Sequence, residues 1–468
     1  MNLPEDFKQY TRQLMGNKLF GQFVEGLAEK PPVSIRLNPF KCHAPDIKLK
    51  DETVPWCETG IYLKERPNFT FDPLLHAGLY YVQEASSMFL HHVLKQYVEE
   101  PVTMLDLCAA PGGKSTVARA ALPEGSMLFS NEPMRMRAQI LTENIQKFGH
   151  PDVIVTNNFP IDYKKFGMQF DVILTDVPCS GEGMFRKDEG SIKEWNTLNV
   201  ENCWIKQRKI ISDIWNCLRP GGILIYSTCT YNTKENEENV KWITTELGAE
   251  ILPVEICKEW NTTGSLMSSL DKPVYRFIPG RTKGEGLFMA VLRKHGECST
   301  ENKKENKQKE RNNKQAKPSV KPNMTWLKNV DDFDIKYESQ SLVAIPKAWS
   351  NIYDIASKSL KVLHAGIRLG EIKGKDIIPS QSLALSTSIA KDIFPKAELD
   401  YQQAISYLRK EAVTLSQDTP TGFVLVTYKG IPLGFEKNIG NRANNLYPCE
   451  WKIKSTYIPE GNNEIINI

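Results

Sequence analysis

Two cysteines stand where reactive groups are expected, one in "DVILTDVPCSGEG" and the other in "GGILIYSTCTY". Each closes an apolar, β-rich run, so neighbouring parallel strands would bring Cys179, Cys229 and Asp176 to one carboxyl edge. A cysteine at a strand end is ordinarily a small buried apolar residue. Two of them beside a carboxylate and a ligand crevice point instead to nucleophilic chemistry, in which one thiolate attacks and a second group handles a proton. The ligand is suggested by a third stretch: after "TMLDL" comes Cys108-Ala109-Ala110-Pro111-Gly112-Gly113-Lys114, a tight turn that opens a helix. Glycines let the backbone approach a ligand, and the helix start offers free N–H groups. The turn is neither GxxxxGK[ST] nor GxGxxG, which argues against a triphosphate and weakens a dinucleotide reading. Glu132, in "SNEP", falls about 20 residues later at the next strand tip, where a carboxylate accepts from both hydroxyls of a ribose. S-adenosylmethionine, a nucleoside cofactor without a pyrophosphate, suits both pieces.

A methyl donor, two thiols and a carboxylate together suit one reaction. C5 of cytosine is too poor a nucleophile to attack a sulfonium methyl, but a thiolate added at C6 makes C4–C5–C6 enamine-like. One cysteine is then the covalent nucleophile, and the other sits where a base would help remove the C5 proton before the thiolate leaves. Asp176 would hydrogen-bond N3 and the exocyclic amine.

The elements that must position these groups follow from the apolar rhythm. From residue 101, "TMLDLC", "MLFSNE", "DVIVTN", "FDVILTD" and "GGILIYST" alternate with helix-like segments such as 134–148 and 201–218, and "GLFMAVLRK" closes the region near 294. Strands alternating with helices imply βαβ units and a doubly wound α/β sheet of Rossmann-like type. Ahead lies a small α/β module with a helix over 5–29 and a strand at "SIRLNPF". The stretch 295–322 is nearly free of apolar residues and reads as a linker. The rest has short strands ("SLVAIP", "GFVLVTY", "WKIKS"), a helix-like stretch at 400–412 and glycine turns, which predicts a small, mostly β module. The expected domains are therefore 1–100, 101–294, 295–322 as linker, and 323–468.

With 468 residues, 41% hydrophobic and 25% charged, the chain supports two or three packed domains. Its ten cysteines form no CxxC pair, which argues for reduced thiols and against a zinc knuckle. No signal-peptide-like or membrane-spanning apolar run is present, so a cytoplasmic protein is expected. The net charge of +3 permits a polyanionic partner without demanding one.

The motifs "LDLCAAPGGKS", "NEPMRMRAQILTENIQKFG", "DVILTDVPCSGEG" and "YSTCTY", in this order, resemble those of the Nol1/Nop2/Sun RNA (cytosine-5) methyltransferases, and "IRLN", "GLYYVQEASSM" and "GEGLFMAVLRK" extend the resemblance over 30–294. It implies a class I S-adenosylmethionine methyltransferase with Cys229 as the nucleophile and Cys179 assisting product release. It further implies that Asp176 faces the cytosine, and that Cys108 to Lys114, Glu132 and Asp176 hold the cofactor. "VPWCETGIYL" and the separate C-terminal module point within that family to a bacterial group acting on small-subunit ribosomal RNA, whose C-terminal part resembles a PUA-like RNA-binding domain. Two departures stand out. Where the family carries an acid beside the adenine, "TNNFP" offers Asn158, whose amide could bond the adenine amine instead, and the histidine common before the GEG motif is absent from "YRFIPGRTKGEG".

Several residues carry a second expectation beside a plainer one. Arg186 and Lys187 would meet RNA phosphates or line a solvated loop. Tyr80, Tyr81 and Gln83 would stack on a splayed base or simply pack. "HAGIRLGEIKGKD" reads as strand and turns with basic residues for an RNA backbone. The expected protein is a monomeric enzyme that extrudes a cytosine of structured RNA, most of all small-subunit ribosomal RNA. A transfer-RNA cytosine-5 methyltransferase shares the same features, and a non-catalytic ribosome-assembly factor is the rival of another class.

Overall fold

The apolar runs from residue 101 form one twisted sheet in a computed structural model that describes all residues except 44, 297–323, 339, 456, 458 and 460. Its strands are β1 (Thr103–Asp106), β2 (Met127–Asn131), β3 (Val153–Thr156), β4 (Phe170–Asp176), β5 (Leu218–Thr228), β6 (Ala249–Leu252), β7 (Leu287–Lys294) and β8 (Val362–Ala365). The order is β6-β7-β5-β4-β1-β2-β3-β8, with a short strand Tyr275–Phe277 pairing β7 off this path. β1 to β5 run parallel, and β7 returns antiparallel to β5. Successive residues face opposite layers: Leu105, Phe129 and Ile173 enter one core, Met104, Leu128 and Val172 the other. Helices Gly113–Ala121, Arg135–Phe148, Thr197–Ile214 and Glu237–Glu246 cover the faces. This is the expected doubly wound core.

The leading module is a helix over Glu5–Ala28, broken at Gly16 (φ 70°), followed by a four-stranded sheet containing Val33–Leu37 and Tyr80–Val82. Buried Arg36 docks it on the core: its Nε donates to Gln83 Oε1 at 2.9 Å and its Nη2 to Thr116 Oγ1 at 2.6 Å, on the helix that follows the glycine turn.

The C-terminal region contains two four-stranded sheets, one built on Ser341–Pro346 and Ile367–Lys373, the other on Gly422–Tyr428 and Ile431–Asn438. It does not stand apart from the core as a separate unit. β8 adds antiparallel to β3 at the edge of the methyltransferase sheet, and Tyr353 and Ala356 of helix Ser350–Ser359 enter that sheet's core. The start of "HAGIRLGEIKGKD" is thus buried edge strand, with His364 and Ala365 inside. Residues 451–455, expected as a strand, instead follow a 3-10 turn over Cys449–Trp451 as irregular chain. The helix expected at 400–412 spans Tyr401–Leu408, capped by Asp400. Nearly all of the expected linker, 297–322, lies outside the described residues.

Candidate active site

β4 and β5 are register neighbours, with Ser227 opposite Asp176, and both end at the same edge. That register brings the two thiols together. Cys179 Sγ and Cys229 Sγ are 3.1 Å apart, both as free cysteines. The hydrogen bond to Cys229 first, and burial second, push the Cys179 thiol well above its ordinary pKa. The two sulfurs lie within hydrogen-bonding reach, and either thiol can donate to the other.

Asp176 accepts from both sides: Lys114 Nζ donates to Oδ2 at 2.9 Å and Ser227 Oγ to Oδ1 at 2.7 Å. Burial works against the Lys114 ammonium, but the Asp176 carboxylate outweighs it and holds the lysine pKa above its usual value. The lysine opening the helix is thus paired with Asp176. Burial, and then Asp106, push the Cys108 thiol above its ordinary pKa.

Two acids that sequence reasoning passed over fix the cysteine loops. Glu182, fully buried, accepts from Tyr231 N at 2.7 Å, Asn232 N at 3.1 Å, Asn232 Nδ2 at 3.0 Å and Trp195 Nε1 at 3.0 Å. Glu235 accepts from Ser180 N at 3.0 Å, Gln207 Nε2 at 2.7 Å and Asn232 Nδ2 at 2.8 Å. Each therefore spans the loop after β4 and the loop after β5. Gly183 closes the gap, its N–H donating to Cys229 O at 2.7 Å; a Cβ there would stand 2.5 Å from that oxygen. The "SGEG" and "KENEEN" strings carried the signal, as acids a few residues after Cys179 and Cys229.

The cofactor turn has the conformation that its glycines permit. Gly112 takes φ 116°, and the Ala110–Pro111 peptide is cis. Arg137 and Asn144 hold the carbonyls of Ala110 and Pro111 at 2.9 and 2.8 Å, and Ala109 N donates to Asn131 O at 2.8 Å. Glu132, 2% exposed at the tip of β2, accepts from Met134 N at 2.9 Å and retains acceptor capacity. Asp106, at the tip of β1, accepts from Ser115 Oγ at 2.6 Å, while its Oδ1 has no partner among the described residues. An unused buried acceptor beside a glycine turn, a ribose-type acid and exposed apolar Met134 and Phe159 fit the amino-acid, ribose and adenine parts of S-adenosylmethionine.

Other expectations are corrected. The Asn158 side chain does not face the crevice freely: Oδ1 accepts from Lys361 N at 3.1 Å and Nδ2 donates to Lys361 O at 3.3 Å. Arg186 is not available to phosphates. Only 5% exposed, it forms a fork with Glu285 at 3.0 and 2.9 Å and donates to Gly26 O at 2.7 Å. Lys187 remains exposed. Tyr80 packs, its hydroxyl donating to Asp72 at 2.7 Å, and Gln83 is buried against Arg36. Among the described residues no helix is long and apolar enough to cross a membrane, and no cluster of His, Cys, Asp or Glu could hold a metal ion.

The family model described as 16S rRNA methyltransferase RsmB/F matches residues 93–293, the N-terminal domain of 16S rRNA methyltransferase RsmF matches 3–85, and the methyltransferase RsmF PUA domain matches 394–453. The ribosomal RNA small subunit methyltransferase F of Shewanella loihica is 30% identical over 91% of this chain and 90% of its own length. That of Escherichia coli O9:H4 is 30% identical over 96% of both. The chain belongs to the RsmB/F family of 16S rRNA methyltransferases. As a member it is an RNA methyltransferase that uses S-adenosylmethionine, with a C-terminal PUA domain. The fold agrees with solved relatives: NSun6 from Pyrococcus horikoshii with SFG superposes with a TM-score of 0.53 at 21% identity, covering 63% of this chain and 99% of that one. A methyltransferase homolog from the same archaeon also gives a TM-score of 0.53, at 24% identity, with 62% of this chain and 95% of that one covered.

Proposed function

We propose that this RsmB/F enzyme methylates C5 of cytosine in small-subunit ribosomal RNA through a covalent adduct between Cys229 and C6. The observation that carries the reading is the pair of free thiols 3.1 Å apart beside Asp176 at the sheet edge.

Cys229 forms the Sγ–C6 bond, and the C5–C6 electron pair then shifts so that C5 becomes nucleophilic. Asp176, backed by Lys114 and Ser227, accepts from the exocyclic amine of the base and from N3 as that nitrogen takes a proton from solvent during the addition, which favours it. Bound against the glycine turn, S-adenosylmethionine supplies an electrophilic methyl group. With Cys229 held as a thioether, Cys179 gives its proton to solvent water, and the resulting thiolate takes the proton from C5. Loss of that proton returns the electron pair to the ring, the C6–S bond breaks, and Cys229 leaves as thiolate. Asp106, Glu132 and the 108–114 turn hold the cofactor. Lys187 and the PUA domain meet the RNA backbone.

The test is to incubate the Cys179→Ala variant with S-adenosylmethionine and small-subunit RNA, or with transfer RNA, and run denaturing electrophoresis. A protein–RNA adduct with small-subunit RNA that disappears when Cys229 is also replaced is the expected result. Adduct with transfer RNA alone would move the substrate. No adduct, with Cys179→Ala and Cys229→Ala each still methylating, would refute the covalent route.

A further inference from the structure

The loop Asn157-Asn158-Phe159, after β3, is gripped from two sides. On the inside, Asn131 Oδ1 accepts from Asn158 N at 3.1 Å and Asn131 Nδ2 donates to Asn158 O at 2.9 Å, while Asn157 Nδ2 donates to Glu132 O at 2.8 Å and Pro133 O at 2.9 Å. On the outside lies Lys361, the residue before β8. Asn157 N donates to Lys361 O at 2.9 Å, Lys361 Nζ donates to Asn157 Oδ1 at 2.9 Å, and the Asn158 amide pairs with both the N–H and the C=O of Lys361. β8 then continues along β3, with Val362 opposite Thr156 and Ala365 opposite Ile154. A continuous chain of hydrogen bonds thus runs from the C-terminal region to the backbone of Glu132.

This arrangement accounts for the residue type at 158. A primary amide carries one acceptor and donors, like a peptide group, so it can pair with a main-chain N–H and C=O together. A carboxylate has no donor for Lys361 O and would set two acceptors against each other. The amide therefore serves the docking of the C-terminal segment, and the ladder of β3 and β8 is extended by one side chain. Beside it the apolar side chain of Phe159 stays 62% exposed.

We propose that the segment Leu360–Ala365 forms the outer support of the nucleoside end of the cofactor site, with Asn158 and Lys361 as positioning residues, so that affinity for S-adenosylmethionine depends on docking of the C-terminal region. The proposal rests on the reading that the crevice beside Glu132 takes the nucleoside. By linkage, whatever strengthens docking of that region strengthens cofactor binding, and the reverse holds equally.

The experiment is calorimetric titration of S-adenosylhomocysteine into full-length wild type, Lys361→Ala, Asn158→Ala and Asn158→Asp, with affinity for a small-subunit RNA transcript measured in parallel. Lys361→Ala, which removes one partly exposed bond, weakens S-adenosylhomocysteine binding roughly twofold, and Asn158→Ala, which removes two, roughly fivefold. Asn158→Asp binds no better than Asn158→Ala. RNA affinity changes by less than about twofold, the loss appears in the KM for S-adenosylmethionine rather than for RNA, and exchange of the Asn157 amide hydrogen accelerates. An Asn158→Asp variant that binds as tightly as wild type, or tighter, would mean that residue 158 faces the adenine directly and would overturn the proposal. Equal loss of cofactor and RNA affinity would overturn it too, as general destabilisation. A wild type that binds RNA but no S-adenosylhomocysteine would instead remove the reading on which the proposal rests.

Discussion

At the thiol end of the crevice the loops are pinned by buried carboxylates, whereas at the nucleoside end the pins are amides and main chain. Glu182 and Glu235 span the two cysteine loops, and Asp106 lies under the glycine turn. Asn131, Asn157 and Asn158 do the corresponding work beside Glu132. The physical difference is titration. Burial, and then Glu182, push Glu235 up to about 7, and burial drives Asp106 up to about 7 as well, but an amide has no proton to lose near neutrality. The thiol loops and the glycine turn are therefore the pH-sensitive parts of the site, whereas the Asn131, Asn157 and Asn158 pins beside Glu132 do not titrate near neutrality.

The sharpest separation of the two ends is Cys229→Ala, expected to lower methyl transfer by at least about a thousandfold while S-adenosylhomocysteine affinity stays within about twofold. Radiolabelled methyl transfer and calorimetry on the same preparation check it. Glu182→Ala leaves the Trp195, Tyr231 and Asn232 donors without an acceptor and is expected to lose roughly 4 kcal/mol in urea unfolding. Arg186→Ala strands Glu285, buried with 4% of its side chain exposed, and is expected to cost roughly 3 kcal/mol; a loss below about 1 kcal/mol would return Arg186 to the RNA surface. The pH contrast is the smallest effect. A carboxyl whose folded pKa lies above its unfolded value stabilises the fold fully at low pH and loses that contribution as pH rises through the folded pKa. For Asp106 the window runs from the ordinary carboxyl value of 3.8 to about 7. Asp106→Asn should therefore gain on wild type by on the order of 1 kcal/mol between about pH 5 and about pH 8, read from urea midpoints. Asn158→Ala should show the same cofactor deficit at both pH values, and a pH-dependent deficit there would break the comparison.

What the chain's pattern made legible was the part governed by period and position. Apolar runs alternating with amphipathic helices leave few sheet orders, so the convergence of Cys179, Cys229 and Asp176 at one edge could be read before any coordinates, whereas the pairing of Lys114 with Asp176 could not. Residues whose roles depend on a distant partner were opaque. Arg186 looks like a basic loop residue until Glu285, 99 positions away, is seen to neutralise it. Asn158 looks like a replaced cofactor ligand until Lys361, 203 positions away, takes its amide. β8 is four residues of ordinary hydrophobicity, and nothing local says that it will pair with β3 rather than with its own C-terminal neighbours.

The edge strand also bears on the order in which the molecule can be completed during synthesis. When a ribosome has translated residue 294, every cysteine, acid and glycine assigned to the reaction has been made, yet β3 still presents an open edge with unpaired N–H and C=O groups. That edge waits for residues 362–365, and Asp46–Ile47 waits longer still, for Ile466–Asn467. A nascent chain emerging at about 5–20 residues per second holds the β3 edge uncovered for seconds. During that interval the sheet lacks the partner of its β3 edge, and an open edge is a template for pairing with other chains. Cofactor present in the cell would then act on the nascent enzyme as a ligand of a site whose outer support arrives last.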